Sequence, residues 1–309
     1  MKKSSRSGLL GAGAVLFCGL ARTGVANDPP YQWRQTDSSL ALADGARIAW
    51  QLNFKKAEGK PYFHPLTLSD GTTLTALRPQ DHPWHRGLWW SWKFINGVNY
   101  WEEDKTTGRS AGQTELVSVR AEPASNFSAR VKMALSYHLP EKPPVLSEQR
   151  TLEMSTPDAH GNYTIDWTSV FTAGTEDLKL DRSPPRNFSG GYAGLSCRLS
   201  PECRGWAFTC SAGLSGATNI YGKTAQWVDV SRGGGMAIFE HPDNLRHPTP
   251  WYPNDSMPFF SPALLFHEPY LLPAGKTITL RYRVWVHSSS AGKDVLEQAW
   301  KDFAGEQSR

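Results

Sequence analysis

From residue 31 onward, apolar and polar residues alternate with a period of two, the pattern of strands that bury one face. The alternation is clearest at 127–137, 163–171 and 278–286. It predicts further strands at 47–54, 87–95, 113–121, 145–154, 206–210, 226–230 and 235–239, separated by Gly, Pro, Asn and Asp. Helical periodicity is found only near the C-terminus, on a stripe formed by Val295, Leu296, Ala299, Trp300 and Phe303.

No internal repeat and no linker rich in Ser or Gly interrupts these strands. We therefore predict an all-β protein, a large antiparallel β-sandwich of two sheets packed face to face, with a short C-terminal helix. Residues 27–309 are expected to form this sandwich as a single domain.

The first 26 residues have the features of a secretory signal peptide. Lys2, Lys3 and Arg6 precede an apolar run at 9–20, and the small residues at 24–26 predict cleavage after Ala26. Export to the periplasm or beyond is expected. No later segment approaches the roughly 20 apolar residues that a membrane-spanning helix requires.

Charge argues against one class of partner. Of the 33 basic and 29 acidic residues, the predicted leader removes four basic residues and no acidic ones, which leaves 29 of each. A neutral chain lacks the basic surface that phosphate neutralisation requires, so no nucleic-acid partner is expected.

Three cysteines follow the leader, Cys197, Cys203 and Cys210. An exported protein meets an oxidising compartment, so one disulfide and one remaining thiol are expected, with the pairing left open.

Candidate chemistry is concentrated in two distant loops. The first runs from Arg78 through His82-Pro-Trp84-His85-Arg86, and the second from Glu240 through His241-Pro-Asp-Asn244-Leu-Arg246-His247. Each holds two histidines, an arginine and at least one carboxylate. Imidazole can accept or donate a proton near neutral pH, and guanidinium is a permanent cation that can hold a hydroxyl, a carboxylate or an oxyanion. We predict that both loops meet at one cleft.

The predicted roles follow from these residue types. The expected acid-base residues are His82, His85, Glu240, His241, His247 and Glu268. The expected substrate-binding residues are His64, Arg78, Arg86, Trp84, Trp90, Trp101, Asn244 and Arg246. For each histidine the alternative is a hydrogen bond that only shapes the loop, and for Arg246 it is the pinning of a carboxylate under the loop.

Aromatic residues make up 12% of the chain, with 13 Trp, and five of these lie between Trp84 and Trp101. Some of these rings must fill the core of a sandwich, but a ring beside ionisable loops also suits the apolar face of a sugar.

No cofactor and no metal is predicted. His82 and His85 would share an ion only if His64, His241 or a carboxylate completed the set of ligands, with Asp81 as a supporting partner.

Several blocks resemble the bacterial family catalogued as PmoA, methane oxygenase. The most specific are Asp81-His-Pro-Trp-His-Arg-Gly-Leu-Trp and Glu240-His-Pro-Asp-Asn-Leu-Arg-His-Pro, and the resemblance covers nearly all of the chain after the leader. Methane oxygenase activity itself is not expected, because a membrane subunit needs several spanning helices and this chain has one apolar segment.

A second resemblance is to the aldose 1-epimerase (galactose mutarotase) supersandwich, through Leu272-Pro-Ala-Gly and the strand that follows it. It implies histidines and a strand-end carboxylate acting on a sugar. The resulting expectation is a secreted carbohydrate-active enzyme, an epimerase, lyase or hydrolase, with a sugar or sugar derivative as partner. The alternative is a glycan-binding module without catalysis.

Overall fold

The computed structural model describes Met1 and residues 31–306, and the chain from Tyr31 onward forms one compact unit. The predicted leader at 2–26, with Cys18, lies outside the described residues. Among residues 31–306, no helix has the length and apolar character needed to cross a membrane.

Twenty strands and two helices follow one another in this part of the chain. They are β1 Gln32–Thr36, β2 Ser39–Asp44, β3 Arg47–Asn53, β4 Tyr62–Leu66, β5 Leu88–Ser91, β6 Phe94–Ile95, β7 Val98–Asn99, β8 Gln113–Pro123, β9 Ala129–His138, β10 Leu146–Met154, β11 Tyr163–Ala173, β12 Leu178–Asp181, β13 Gly194–Arg198, β14 Ala207–Cys210, α1 Ala217–Ile220, β15 Trp227–Arg232, β16 Gly234–Glu240, β17 Trp251–Asn254, β18 Phe259–Pro262, β19 Tyr270–Leu272, β20 Thr277–His287 and α2 Lys293–Ala304. Short 3₁₀ turns form at Lys56–Glu58 and Pro201–Cys203.

These strands form two eight-stranded antiparallel sheets and a small four-stranded one. The first large sheet has the order β1-β2-β3-β4-β5-β13-β18-β17, and the second has β14-β15-β16-β20-β11-β10-β9-β8. The small sheet has the order β19-β12-β6-β7. With 47% strand and 8% helix, the prediction of an all-β antiparallel sandwich with a C-terminal helix is confirmed.

Alternation along the strands builds the core between the two large sheets. Every second residue of β11 is buried from Tyr163 to Ala173, as the period-two pattern predicted. The ring of Trp90 on β5 lies 5.0 Å from that of Phe171 on β11 and 6.2 Å from that of Tyr282 on β20. Trp90 is therefore core filler between the sheets and not a ligand-binding surface.

The opposite face of the first sheet carries a second aromatic layer. Trp89, the neighbour of Trp90 on β5, faces this side, where its ring lies 5.4 Å from Trp101 and 6.1 Å from Phe259. Tyr62, Tyr252 and Phe266 belong to the same cluster. Loops cover this layer, and the candidate site forms between them and the sheet.

The prediction of a disulfide is wrong. Cys197, Cys203 and Cys210 are free thiols, each buried in the main apolar cluster. They pack there as small apolar side chains, and burial raises the pKa of the Cys197 and Cys203 thiols, which keeps both protonated.

Candidate functional site

The loop between β4 and β5 is held in a tight fold by its own backbone. Leu77 pairs with Arg86 in a β-bridge, and the Arg78 N–H donates to the His85 carbonyl at 2.8 Å. His85 N–H in turn donates to the His82 carbonyl at 2.9 Å. This turn brings the two predicted imidazoles together, because the rings of His82 and His85 stack with centroids 4.6 Å apart.

His82 is the partly exposed member of the pair, and a carboxylate orients it. Asp81 Oδ2 lies 2.9 Å from His82 Nδ1. Arg198, from the end of β13, donates from Nη2 to both oxygens of Asp81, at 3.0 and 2.8 Å. Burial tends to raise the pKa of Asp81, but hydrogen bonds from His82 and Arg198 outweigh it and lower that pKa to about 2. A carboxylate on Nδ1 holds the proton there and leaves Nε2 to accept one.

His85 is buried, with 3% of its surface exposed, and its Nδ1 has no hydrogen-bond partner. Its ring contacts Trp89, Trp101 and Phe259, with centroids 5.1, 6.2 and 5.4 Å away. Burial, reinforced by the nearby charges of His82 and Arg198, lowers the pKa of His85 to about 2. The sequence allowed His85 to act as a proton acceptor or as a proton donor. With so low a pKa its imidazole stays neutral, so it can take part in a hydrogen bond but does not take up a proton near neutral pH.

This burial predicts a pH-dependent stability. An unfolded histidine titrates near 6.5, so between that pH and about 2 the unfolded chain binds the proton that folded His85 rejects. The free energy of unfolding should therefore fall as pH drops below about 6.5, with His85 accounting for about 2 kcal/mol by pH 5. Urea unfolding at pH 5 and 7.5 tests this. His85→Gln should remove that part of the difference, while substitution of the exposed His160 by Gln should leave it.

The two imidazoles line a cavity of about 370 Å³, which we call the histidine cavity. Aromatic side chains supply one wall, from Trp101, Tyr192, Tyr252 and Phe259. The polar part of the lining comes from the segment at 183–190, which contributes Ser183, Arg186 and Ser189. The Tyr192 ring lies 4.9 Å from that of Trp101 and 5.2 Å from that of Tyr252, so the aromatic wall is continuous.

Two other residues predicted to bind substrate, Trp84 of the first loop and His64 of β4, do not line this cavity. Trp84 is half-buried, with its ring 5.4 Å from that of His82. His64 hydrogen-bonds through Nδ1 to Thr75 Oγ1 at 3.0 Å, and burial lowers its pKa.

Arg78 and Arg86 point away from the histidine cavity toward Glu103. Arg86 Nη2 donates to Glu103 Oε1 at 2.6 Å, and Arg78 Nη1 donates to Glu103 Oε2 at 3.0 Å. Arg78 also donates to the Pro83 carbonyl at 3.1 Å, so it braces the histidine loop from behind. Both arginines line a second cavity instead.

The second loop does not line either cavity, so the structure gives no support for one cleft shared by both loops. Glu240, at the end of β16, is fully buried. Its Oε1 accepts from the Thr249 N–H and its Oε2 from the Thr249 hydroxyl, both at 2.7 Å, and His247 Nδ1 lies 3.0 Å from Oε1. These partners satisfy the carboxylate and close it off from solvent, which places Glu240 as a structural anchor of the loop.

His241 and Asn244 attach the same loop to β20 and the C-terminus. His241 Nε2 lies 2.8 Å from Arg281 Nη1, and its ring packs edge-on against Phe303. Burial and the Arg281 charge lower the pKa of His241. The Asn244 amide donates to the Arg281 carbonyl at 2.8 Å and accepts from the Arg281 N–H at 2.7 Å.

Arg246 has a structural role, but it holds backbone carbonyls of the 264–269 segment, whereas the predicted alternative was the pinning of a carboxylate under the loop. Its guanidinium donates to three carbonyl oxygens at 2.8–2.9 Å, those of Leu264, Glu268 and Pro269. Glu268 Oε1 lies 3.1 Å from the same group, with its side chain 72% exposed. The remaining histidine, His247, stacks on Trp300 with centroids 6.2 Å apart.

Replacing Asn244 by alanine tests whether this residue stabilises the fold or binds substrate. Asn244→Ala leaves the buried N–H and carbonyl of Arg281 without these two bonds, so unfolding should become easier by about 1–3 kcal/mol. Ligand affinity at the histidine cavity should not change. A binding titration of the folded variant checks the second point, and a lost affinity with intact fold would restore Asn244 to the site.

Sequence reasoning missed several residues that the structure places at the site. Arg198, Tyr192, Tyr252 and Phe259 come from distant strands and loops, and no cluster of ionisable residues like that of the two histidine loops surrounds them in the sequence. Glu103 belongs to Trp101-Glu102-Glu103, two residues from a tryptophan that was selected, and its acidic pair was the available signal. Within residues 31–306, no group of three or more His, Cys, Asp or Glu side chains is arranged to hold a metal ion.

Comparison with known proteins identifies a family but no activity. The model of a family described as "Family of unknown function (DUF6807)" matches residues 39–301. No curated protein matches the sequence. A solved structure titled "Polysaccharide Lyase BACCELL_00875" is similar with a TM-score of 0.38 and 11% identity, over 88% of this chain and 34% of that one. The chain thus spans about a third of that protein, and a likeness this weak says nothing about activity.

Proposed function

The chain belongs to a family of unknown function, DUF6807, so we infer its role from its own geometry. We propose that it is an enzyme that moves a proton on a sugar or sugar derivative bound in the histidine cavity. The resemblance to the PmoA family and the secreted location remain predictions, and neither carries this proposal.

One observation carries it: two stacked imidazoles line an aromatic-walled cavity and have opposite environments. His82 is held by the Asp81 carboxylate, which Arg198 fixes, while His85 is buried with an unpartnered nitrogen. A base needs an orienting partner and an open nitrogen, and the Asp81-His82 pair supplies both. A buried polar atom without a partner is uncommon in proteins, and a ligand hydroxyl would supply one to His85.

The walls suit a sugar. A cavity of about 370 Å³ falls within the range of small-molecule sites and accommodates one ring. The partly exposed ring of Tyr192 is an apolar surface on which the C–H face of a sugar can lie. Arg186 and the two serines of the lining offer donors to hydroxyl or carbonyl oxygens.

In this mechanism the chain's own residues divide the work. His82 Nε2 takes a proton from the substrate, and Asp81 stabilises the imidazolium that forms. Neutral His85 orients the substrate through a hydrogen bond, and Arg186 is the cation available to negative charge on a substrate oxygen. In an elimination the C–H electron pair forms the new C=C bond while the C–O bond to the leaving group breaks, and the leaving oxygen takes the proton from His82. In an anomeric epimerisation His82 takes the proton of the 1-hydroxyl and gives it to the ring oxygen as the ring C–O bond breaks, and closure of the ring on the other face of the carbonyl reverses the transfer.

The competing function is a glycan-binding module, favoured by the continuous aromatic wall. A screen of the purified protein against oligosaccharides and oxidised sugars, with and without chelator, decides between them. Product formation by the wild type supports the enzyme. Glycan binding without any product supports the module and overturns the proposal. Activity that survives the chelator would remove a metal requirement.

A further inference from the structure

A second cavity lies on the other side of the same two segments. The segments at 78–86 and 101–103 contribute His82, His85 and Trp101 to the histidine cavity but Arg78, Arg86 and Glu103 to this one. Its volume is about 510 Å³. We call it the basic cavity, because five cationic side chains line it: Lys56, Lys60, Arg78, Arg86 and Arg109.

Acidic groups cancel only part of that charge. Three carboxylates line the cavity, those of Glu58, Glu103 and Glu115. Two of the cations are almost wholly buried, since Lys60 is 5% and Arg86 2% exposed. Glu103 is the main counter-charge of both, 2.6 Å from Arg86 Nη2 and 3.8 Å from Lys60 Nζ. The partly exposed Glu58 adds a second, weaker counter-charge, with its Oε2 3.5 Å from Arg86 Nη1. Five cations against three carboxylates still leave the lining with excess positive charge, and an anion in the cavity would reduce the electrostatic cost of burying Lys60 and Arg86.

Hydrogen bonding in the lining is also incomplete. Arg86 Nε and Thr114 Oγ1 are buried and have no partner. Both residues are more than nine-tenths buried and both line the basic cavity. Buried polar atoms are nearly always satisfied in folded proteins, and a ligand in the basic cavity would supply the partners that both atoms lack.

We propose that the basic cavity binds the carboxylate of a small acid, either an acidic sugar or a simple organic acid. A planar carboxylate matches the forked donors of guanidinium, and two arginines, Arg78 and Arg109, are exposed enough to reach it. The modest excess of positive charge fits a singly charged ligand. This binding does not depend on proton transfer in the histidine cavity.

Binding of a carboxylate in the basic cavity should be accompanied by proton uptake at Lys60. Burial lowers the pKa of Lys60 to about 7, with Arg86 and Arg78 lowering it further and Glu103 and Glu102 opposing them. Its Nζ donates to the Trp101 carbonyl at 3.2 Å and to Ser110 Oγ at 3.3 Å. An anion nearby favours the charged amine. Binding of a carboxylate above pH 7 should therefore draw a proton from solution onto Lys60.

Calorimetric titration of the full chain at pH 8 tests the proposal with sodium glucuronate, sodium acetate and glucose as ligands. Two buffers with different ionisation enthalpies report the proton uptake. We expect a carboxylate to bind with proton uptake and glucose not to bind this cavity. Equal binding of acetate and glucuronate identifies a simple carboxylate site, and binding of glucuronate alone identifies an acidic sugar.

Variants of the lining residues show whether the measured binding heat comes from the basic cavity. Arg109→Gln, at an exposed position that should not affect folding, is expected to weaken carboxylate binding about tenfold, whereas Arg120→Gln, a surface cation outside the cavity, should not. Lys60→Gln should abolish the proton uptake. His82→Gln should bind the carboxylate as the wild type does, which separates this result from any failure of the proposed enzyme. Absence of carboxylate binding, or binding that Arg109→Gln leaves unchanged, would overturn the proposal.

Discussion

Replacing His82 by glutamine should lower turnover by about a hundredfold to ten-thousandfold while the ligand still binds, the range typical for loss of a general acid-base group. Glutamine keeps a polar side chain at the cavity wall but cannot take up a proton. The stacked His85 cannot substitute for it, because burial lowers the pKa of that imidazole to about 2. Steady-state kinetics on the substrate found by screening, with binding measured separately, gives both quantities.

Two further variants serve as a test of the orienting carboxylate and as a control. Asp81→Asn keeps the shape of the orienting partner but removes its charge, so turnover should fall while ligand affinity is kept. His267→Gln alters an exposed histidine outside the histidine cavity and should have no effect. Unchanged turnover in the His82 variant would show that the imidazole pair only shapes the loop.

All eight strands of the second large sheet overlap predicted ones, and the long ones among them were predictable because every second residue is buried, whereas most strands of the first large sheet were not predicted. The prediction at 145–154 corresponds to β10 and that at 163–171 to β11, with ends differing by one or two residues. Strand β13 was missed, since all five of its residues are buried and such a strand does not alternate. The prediction at 87–95 is broken in the structure between β5 and β6.

The tryptophans of β5 show what the periodicity cannot predict. Alternation puts Trp89 and Trp90 on opposite faces of β5 but does not say which face meets the second sheet. The sequence-based choice was Trp90, which packs on Phe171 in the core, while Trp89 contacts His85 beside the cavity. Only the packing of the two sheets decides between the two residues.

The second histidine loop shows the same limit for polar residues. It contains the same types of ionisable residue as the first loop, yet Glu240 is closed off by Thr249 and Arg246 holds backbone carbonyls. Imidazole, guanidinium and carboxylate serve a buried hydrogen-bond network as readily as a catalytic site. Which one they form depends on whether a cavity lies beside them, and that depends on loops far away in the chain.

Glu103 lies in the wall between the two cavities, and the cations of that wall share its single carboxylate. It accepts from Arg86 and Arg78 and lies 3.8 Å from Lys60, with 5% of its side chain exposed. Arg78 in turn braces the histidine loop through the Pro83 carbonyl. Loss of this single charge would therefore act on the basic cavity directly and on the histidine cavity through Arg78.

Glu103→Gln should accordingly lower the free energy of unfolding by about 3–5 kcal/mol, since it removes the counter-charge of buried Lys60 and leaves Arg86 only the partly exposed Glu58. Glu153→Gln is the matched control: Glu153 pairs with Arg130 where both side chains are 48% exposed, and its loss should cost less than about 1 kcal/mol. The penalty should shrink as pH rises above 7, because Lys60 can then give up its proton while Arg86 keeps its charge. Urea unfolding of both variants at pH 6 and 9 measures the effect. Equal losses for the two variants would mean that solvent, and not Glu103, compensates the charge of Arg86 and Lys60.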